Sequence, residues 1–451
     1  MKSITVLSAN DALKTSASIA NDFVAIKNPK GLFPEFEIVP MAPVPSFPLK
    51  GLDAVLMDMD GTTTSTEVIC IHSLEYMVRK ITGKMTTAEW KGLDHHTDYP
   101  HIIGNSTTKH IEYLLHTYGK SVQPREAKNA LIEAAVWTLT YGKDPGRRTE
   151  VLATLSACGI SSLANEKIQP GLVPDDFRKK VAALQKKFAA SVNLSSHRNL
   201  LLAAIDIYYV RYHSILQMLL EGKDKEIRKI IGLHDAQNII EPMPGIAVLL
   251  PLLAGLLGDE AVMLAESVAI QYALKHHTVP STALIRKTAS RLKSLSIAFT
   301  KKPVKLAVVT SSIRYEADIV LEAVFSAIRS EIKTWEISES RKRTILKQFS
   351  YPGQIYTTIV TASDSNEIRL KPHRDLYSIA LRTLGIDGSH TSNVIGFEDS
   401  ESGTVAIRCA GVGASFAVPF AQTSGHNFDA AAKILHGGIP EAIIDHKLFI
   451  K

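Results

Sequence analysis

The sequence is poor in cysteine and in net charge. Its 451 residues contain only Cys70, Cys158 and Cys409, which are far apart and form no CxxC pair. Scattered single cysteines are typical of reduced core residues, so we expect no disulfide framework and a cytoplasmic location. The net charge of +6 fits an anionic substrate. Because no basic stripe interleaved with aromatic residues is present, we expect no nucleic-acid partner.

Long apolar runs are also missing. The longest, residues 245–258, is too short to cross a bilayer and contains Pro251. The N-terminus lacks the extended apolar region of a signal peptide. We therefore expect no membrane partner, and the sequence leaves the oligomeric state open.

Apolar residues make up 45% of the chain, which is enough for a full hydrophobic core. Between residues 65 and 241 the periodicity is helical, whereas after Pro303 short apolar strands alternate with helices. That alternation is typical of a parallel sheet covered by helices on both faces. We predict an N-terminal extension (1–50), a helical domain (65–241) and a doubly wound α/β core. The core would consist of residues 51–64 and 242–451, with a helical insertion at about 257–302.

The local predictions that the structure can test concern the extension and the core. We expect an extended lead-in at residues 40–48. The predicted helices are Asp11–Ala25, Ile246–Leu257, Asp259–Lys275, Ser281–Ile297, Arg314–Ile328, His373–Leu384 and Ala430–Leu435. The predicted core strands are Ala54–Met57, Val304–Val309, Ile355–Val360, Asn393–Phe397 and Gly413–Val418.

Two carboxylates follow the first core strand. Asp58 and Asp60 lie one residue apart, directly before Gly61, which allows a sharp turn. Taken alone, this stretch is equally compatible with an acidic turn and with a site. A carboxylate such as Asp58 can act as a nucleophile in phosphoryl transfer, and Asp60 could act as general acid and base. Lys371, before Pro372 at a helix start, could neutralise both a phosphoryl group and Asp58.

Polar residues follow two other predicted strands. Thr310 and Ser311 precede a helix, whose N-terminal N–H groups could hold a phosphate. Glu398 and Asp399 supply oxygen ligands that, with Asp58, suit Mg²⁺. Each cluster alone is more simply explained by helix capping or surface charge. Their shared location at strand ends, where open α/β sheets bind ligands, favours a site.

Taken together, these stretches resemble the four motifs of the haloacid dehalogenase superfamily, in the branch of β-phosphoglucomutase and related phosphatases. Residues 58–62, 308–312, 371–377 and 396–403 are similar to motifs one to four, and they occur in the family order. Residues 244–250 resemble the helix on which that branch re-enters its core. Four motifs in the right order are specific, although each one is weak.

The resemblance implies Mg²⁺-dependent phosphoryl transfer through an aspartyl-phosphate. It assigns the roles as follows: Asp58 as nucleophile and metal ligand, Asp60 as acid/base and metal ligand through its carbonyl, Thr310 and Ser311 as phosphate ligands, Lys371 as the charge clamp, and Glu398 and Asp399 as the remaining metal ligands.

The helical block at 65–241 stands where this branch places a mobile cap, with residues 61–65 as the expected hinge. It is much larger than the family's usual cap. Residues 95–109 resemble the cap's specificity loop, which gives the substrate-contacting candidates Asn105, Thr107, Thr108 and Lys109. β-Phosphoglucomutase has an arginine shortly after the loop glycine, where this chain offers only Lys109. That difference makes a mutase less expected.

We therefore predict a Mg²⁺-dependent phosphatase that acts on a small phosphorylated metabolite, such as a sugar phosphate. One alternative is a phosphomutase of the β-phosphoglucomutase type. The other is a non-catalytic phosphate-binding or scaffold protein, against which the intact pair of Asp58 and Asp60 argues.

Overall fold

The computed structural model describes residues 5–28, 31–103, 106–166, 174–234, 237–366, 369–420, 423 and 425–450. The chain divides into two compact units. The core unit consists of Met1–Ser65 and Ile240–Lys451, and the helical unit consists of Thr66–Ile239.

All strands of the described residues belong to the core unit. In chain order they are β1 Asp22–Lys27, β2 Phe36–Met41, β3 Ala54–Met57, β4 Thr64–Ser65, β5 Glu241–Pro242, β6 Lys305–Val309, β7 Thr358–Val360, β8 Val394–Glu398, β9 Ala414–Ala417 and β10 Lys433–Ile434.

Six of these strands form one parallel sheet, in the order β10-β9-β8-β3-β6-β7. From β3 the chain continues outward through β6 and β7, and from β8 it continues outward in the other direction through β9 and β10. Because parallel crossovers are right-handed, the two directions place their connecting helices on opposite faces. The predicted doubly wound α/β core is therefore confirmed, with its topological switch point between β3 and β8.

The helices of the described residues fall into both units. The core unit contains α1 Ala9–Ile19, α10 Ile246–Leu253, α11 Ala265–Lys275, α12 Thr282–Lys301, α13 Arg314–Thr334, α14 Glu339–Gln348, α15 Asp375–Thr383, α16 Glu401–Cys409 and α17 Ile439–Ile444. The helical unit contains α2 Glu67–Thr82, α3 Tyr99–Ile102, α4 Thr107–Tyr118, α5 Pro124–Tyr141, α6 Pro145–Ala157, α7 Pro174–Phe188, α8 His197–Leu220 and α9 Asp224–Ile231. In the part of the chain that the structure describes, none of these helices combines the length and apolarity needed to cross a membrane.

The N-terminal extension contains a β-hairpin that the sequence did not reveal. The predicted helix over Asp11–Ala25 is wrong in its second half, because α1 stops at Ile19 and β1 follows. The strands β1 and β2 pair antiparallel over six residues each. Ile26 of this hairpin packs with Val405 and Cys409 of α16, so the hairpin belongs to the core. Strand β2 also covers the first residues of the predicted lead-in.

Four further local predictions need correction. The strand predicted over Ile355–Val360 begins only at Thr358, because the 3-10 helix Pro352–Gln354 and its C-cap Ile355 precede it. Residues Ala430–Leu435 do not form a helix, because Lys433–Ile434 pairs in parallel with β9 as the edge strand β10. The predicted helix Asp259–Lys275 begins as a 3-10 helix, Gly258–Leu264, before α11. The helix from Ile246 ends at Leu253, four residues earlier than predicted.

The two chain segments that lead from the core unit to the inserted segment are hydrogen-bonded to each other. Thr64 pairs with Pro242 and Ser65 with Glu241 in the short antiparallel ribbon β4–β5. Both ends of the insertion are thereby fixed at one place in the core unit.

The helical unit has its own apolar core. Buried residues of α5, α6 and α7, among them Leu131, Leu155 and Leu184, form one cluster with Ala203 of α8. Inside this unit Arg147 of α6 donates to Asp206 of α8 at 2.6 Å, and both side chains are buried. A hydrophobic core of its own is what an independently packed domain needs.

Candidate active site

The two strands that flank the switch point deliver carboxylates to the same end of the sheet. Asp58 follows β3, and its backbone N–H donates to Phe397 O of β8 at 3.0 Å, which continues the ladder. Glu398 is the last residue of β8. Strands β3 and β8 are neighbours in register, with Met57 opposite Phe397. The position of both acids therefore follows directly from strand pairing.

Lys371 joins these two acids. Its ammonium contacts Asp58 Oδ1, lies 2.6 Å from Glu398 Oε1 and donates to Val309 O at 2.9 Å. The side chains of Lys371, Asp58 and Glu398 are all more than nine-tenths buried. Lys371 thus bridges the carboxylate that follows β3 and the one that ends β8.

Burial and neighbouring charges have opposite effects on the pKa values of Asp58 and Lys371. Burial raises the pKa of the Asp58 carboxyl above its usual range, and the Lys371 ammonium opposes that increase. Burial alone would lower the pKa of Lys371, but the carboxylates of Asp58 and Glu398 outweigh burial and hold it above its ordinary value. Lys371 therefore remains a cation at neutral pH and favours the ionised form of Asp58.

Two hydroxyl groups hold Asp60. The Ser312 hydroxyl donates to Asp60 Oδ2 at 3.0 Å, and the Thr310 hydroxyl donates to the same oxygen at 3.3 Å. Thr310 is fully buried, and its hydroxyl also accepts from the backbone N–H of Ser312 at 2.9 Å. The end of β6 therefore orients the second carboxyl group.

The predicted phosphate ligands lie in this same turn. Ser311 is half-buried between Thr310 and Ser312, three residues before α13 begins. Because the Thr310 hydroxyl is engaged with Asp60, Ser311 and the backbone N–H groups of the turn are the more accessible donors for an anion. In the structure the Thr310 side chain contacts Asp60. Binding of phosphate by Thr310 stays a prediction.

Glu398 accepts four hydrogen bonds. Oε1 accepts from Lys371 and, at 3.2 Å, from the Tyr377 hydroxyl, while Oε2 accepts from the hydroxyl and the backbone N–H of Ser400 at 2.8 and 3.1 Å. A carboxylate offers about four lone-pair positions, so these contacts saturate Glu398. It would bind a metal only by giving up one of them, and in this arrangement its direct task is to hold Lys371.

Two glycines make room for the acids. A Cβ atom on Gly403 would lie 1.7 Å from Glu398 Oε1, so only glycine fits beneath that carboxylate. Gly61 has φ +81°, and a Cβ atom there would lie 2.6 Å from Asp399 Oδ2. At Gly61 both the left-handed backbone and the close approach of Asp399 require glycine.

The donor set fits a divalent cation with hard oxygen preferences. Asp58, Glu398 and Asp399 are buried, and each offers a carboxylate oxygen within 4.8 Å of the others. A single ammonium, that of Lys371, accompanies these three buried carboxyl groups, so a further cation would favour their ionised forms. Carboxylate oxygens are suitable ligands for Mg²⁺. Of the three, Asp58 and Asp399 are the better candidates because Glu398 is saturated.

Sequence reasoning missed three residues that contact the site. Ser312 stands inside the second motif, and its position two residues after Thr310 was a usable signal. Ser400 directly follows Asp399, and its hydroxyl accepts from the backbone N–H of Gly403 as the N-cap of α16. Tyr377 is the last residue of the third motif, but no role could be derived for it, because it lies on the buried face of α15 and its acceptor Glu398 is on β8.

The four specificity candidates lie in the helical unit or outside the described residues. Asn105 is outside the described residues. Thr107 is the first residue of α4, and its hydroxyl accepts from the Tyr209 hydroxyl at 3.3 Å within the same unit. Thr108 and Lys109 follow in the first turn of α4 and are exposed. Their role in substrate recognition stays a prediction.

Neither a family model nor a curated protein matches the sequence. Among solved structures, the chain is similar to CbbY from Rhodobacter sphaeroides, solved with phosphate (14% identity, 87% of this chain and 96% of that one, TM-score 0.37). It is also similar to a HAD hydrolase, family IA, variant 3, from Entamoeba histolytica (13% identity, 87% and 99%, TM-score 0.35). A protein from Thermotoga maritima, named provisionally as a β-phosphoglucomutase, matches with 14% identity over 88% and 98%, at a TM-score of 0.33.

Two of these structures have names from the family that the four motifs resemble, a HAD hydrolase and a β-phosphoglucomutase. At these identities and TM-scores the neighbours assign no activity, and the function proposed next relies on the side chains of the site.

Proposed function

We propose that this chain is a Mg²⁺-dependent phosphatase that hydrolyses a small phosphorylated metabolite through an aspartyl-phosphate. One observation carries the proposal: a buried lysine, Lys371, bridges the Asp58 carboxylate and Glu398 at the switch point of the sheet. An acidic turn without function has no need of a buried ammonium group, whereas a nucleophilic carboxylate that attacks a phosphate dianion does.

The first half-reaction would use both aspartates. Lys371 holds Asp58 Oδ1, so Oδ2 is the oxygen that we expect to attack phosphorus. As the O–P bond to Asp58 forms, the bond from phosphorus to the substrate oxygen breaks, and protonated Asp60 gives its proton to that leaving oxygen. Ser312 and Thr310 hold the Asp60 carboxyl group in one orientation, so that its proton faces the leaving oxygen of the substrate.

The second half-reaction would reverse the role of Asp60. Its carboxylate, now ionised, takes a proton from a water molecule whose oxygen attacks the phosphorus of the aspartyl-phosphate. The bond to Asp58 breaks, inorganic phosphate leaves, and Asp60 is protonated again. Ser311 and the N–H groups before α13 are suited to binding the phosphoryl oxygens throughout.

Asp58 and Asp399 would hold the Mg²⁺ ion, together with the backbone carbonyl of Asp60 that the family resemblance implies. When bound, the ion supplies charge stabilisation for the transferring phosphoryl group. The saturated Glu398 would keep Lys371 in place beside it.

The test replaces Asp58 by asparagine, which keeps the shape and removes the nucleophilic charge. We expect Asp58→Asn to abolish turnover of p-nitrophenyl phosphate with Mg²⁺ and to change the melting temperature little. The control is Asp387→Asn, the same change at an exposed site, which should retain full activity. Full activity in Asp58→Asn would refute the proposal.

Product analysis separates the alternatives. Release of inorganic phosphate in proportion to the substrate consumed would support the phosphatase proposal. Isomerisation of a sugar phosphate without phosphate release would identify a phosphomutase instead. Absence of Mg²⁺-dependent hydrolysis across a broad panel of phosphorylated metabolites would identify a non-catalytic phosphate-binding or scaffold protein. The solved CbbY complex with xylulose-1,5-bisphosphate makes sugar phosphates the first class to include in the panel.

A further inference from the structure

The N-terminal hairpin β1–β2 lies outside all four motifs, yet it contacts the segment that carries Lys371. Asn28, directly after β1, is buried, and its Oδ1 lies 3.0 Å from Nε2 of buried His373. The amide group of Asn28 donates to Pro34 O at 2.8 Å and to Glu37 Oε1 at 3.1 Å. These two acceptors fix the amide so that its oxygen faces Nε2 of His373.

A second contact holds the other side of the same segment. Glu37 of β2 uses its Oε2 to accept from Arg369 at 2.8 Å, and Arg369 also pairs with Asp375 at the start of α15 at 3.2 Å. Arg369 precedes Lys371 by two residues and His373 follows it by two. The Glu37 carboxylate links the two contacts, because its other oxygen accepts from Asn28.

The hairpin is itself anchored firmly enough to act as a support. Arg408 of α16 donates to Ala42 O at 2.5 Å, to Ala430 O at 3.0 Å and to Asp22 Oδ2 at 3.3 Å. Ala42 N–H donates back to Arg408 O at 2.9 Å. With Ile26 packed on Val405 and Cys409, the hairpin is fixed to the helix that follows Glu398.

We propose that hairpin β1–β2 positions Lys371, with Asn28 and Glu37 as positioning residues that hold its backbone on both sides. A lysine has four rotatable side-chain bonds, so its ammonium stays between Asp58 and Glu398 only if its backbone is held. Misplacing a reactive group by about 1 Å can lower the reaction rate on the order of 100-fold. Loss of the contacts that hold Lys371 should therefore slow the reaction. The kinetic consequence rests on the proposed phosphatase function, whereas the positioning itself does not.

The test uses the full chain and three single variants. Glu37→Gln keeps the acceptor for Asn28 and removes the charge that Arg369 requires, and Asn28→Ala removes the contact with His373. The matched control is Glu35→Gln, the same change two residues away on the hairpin, where Glu35 is 71% exposed and faces Lys27 at 3.6 Å. We expect kcat for p-nitrophenyl phosphate to fall about tenfold in the first two variants with KM nearly unchanged, and no change in the control.

A second readout needs no turnover. Acetylation of Lys371 by an amine-reactive ester, measured by peptide mass spectrometry against exposed Lys302, reports how well the buried ammonium is held. We expect Lys371 to react at least about threefold faster in Glu37→Gln and Asn28→Ala, and at the wild-type rate in Glu35→Gln.

The outcomes are distinct. Faster labelling of Lys371 supports the inference even if wild-type protein hydrolyses no phosphate ester, a result that would overturn only the proposed function. A lower melting temperature with unchanged Lys371 labelling and unchanged kcat would show a purely structural role for the hairpin and overturn the inference. If Asn28→Ala fails to fold, the isosteric Glu37→Gln decides the question alone.

Discussion

Lys371 Nζ lies 2.6 Å from Glu398 Oε1, and both side chains are almost completely buried. Lys302 Nζ lies at the same 2.6 Å from Asp53 Oδ1, but the Lys302 side chain is 67% exposed. The chain therefore contains two lysine–carboxylate pairs of equal length in different surroundings. A buried pair cannot lose one partner without leaving the other charge uncompensated, whereas a surface pair can.

Replacing Lys371 by methionine should lower the free energy of unfolding by about 3 kcal/mol, because Asp58 and Glu398 lose their common cation. The matched change Lys302→Met should cost less than about 1 kcal/mol. Urea denaturation of both variants measures the difference. Lys371→Met should also lose phosphatase activity, while Lys302→Met keeps it. Equal stability losses would contradict this account of the buried pair.

Gly403→Ala should displace Glu398, since the added Cβ atom would lie 1.7 Å from Oε1. We expect a stability loss of about 2 kcal/mol or more and at least about tenfold lower kcat. Gly388→Ala is the control, because no heavy atom lies within 4 Å of the Cβ position there. Thermal melts and p-nitrophenyl phosphate kinetics give both numbers, and normal activity in Gly403→Ala would contradict the close contact.

Mg²⁺ should raise the melting temperature of the wild-type protein, because a ligand that binds only the folded state stabilises it. At a hundredfold excess over Kd the gain is about 2.7 kcal/mol. Asp399→Asn should lose most of this increase. The exposed change Asp387→Asn should retain it. An unchanged Mg²⁺ effect in Asp399→Asn would place the ion elsewhere.

Protonation of the Asp206 carboxyl should stabilise the helical unit when the pH is lowered slightly. Burial raises the pKa of Asp206 to about 6, against the opposing effect of Arg147. Between the unfolded value near 4 and the folded value the native state binds the extra proton, so the free energy of unfolding rises as pH falls through this window. The difference between wild type and Asp206→Asn should grow by up to about 3 kcal/mol from pH 7 to pH 4. A difference independent of pH would contradict the raised pKa.

The strand ends of the site could be predicted from the sequence because strand pairing alone determines them. Ala54–Met57 is a short apolar run that could only be a buried strand, and parallel neighbours align its end with that of Val394–Glu398. The bridging position of Lys371 follows less directly. It depends on the turn before α15. The sequence suggested that Lys371 could neutralise Asp58, and the family resemblance assigned it as the charge clamp, but neither placed its ammonium between Asp58 and Glu398.

The hairpin and its contacts could not be predicted. The six residues of β1 follow a helix after a two-residue break, and β2 contains Pro40, which argues against a strand in sequence. The contacts of Glu37 with Arg369 and of Asn28 with His373 join residues more than 300 positions apart. The edge strand Lys433–Ile434 was missed for a related reason, since two residues carry no periodicity and only pairing with β9 defines them.

The ribbon β4–β5 has a consequence for how this chain can change. Because Thr64 and Ser65 pair with Pro242 and Glu241, the inserted segment leaves and rejoins the core at adjacent backbone positions. A tight turn could join those positions directly, so the whole segment can be lengthened, shortened or exchanged without altering the order of the sheet. A change in the size of the helical unit, Thr66–Ile239, would therefore leave the acids at the strand ends in place.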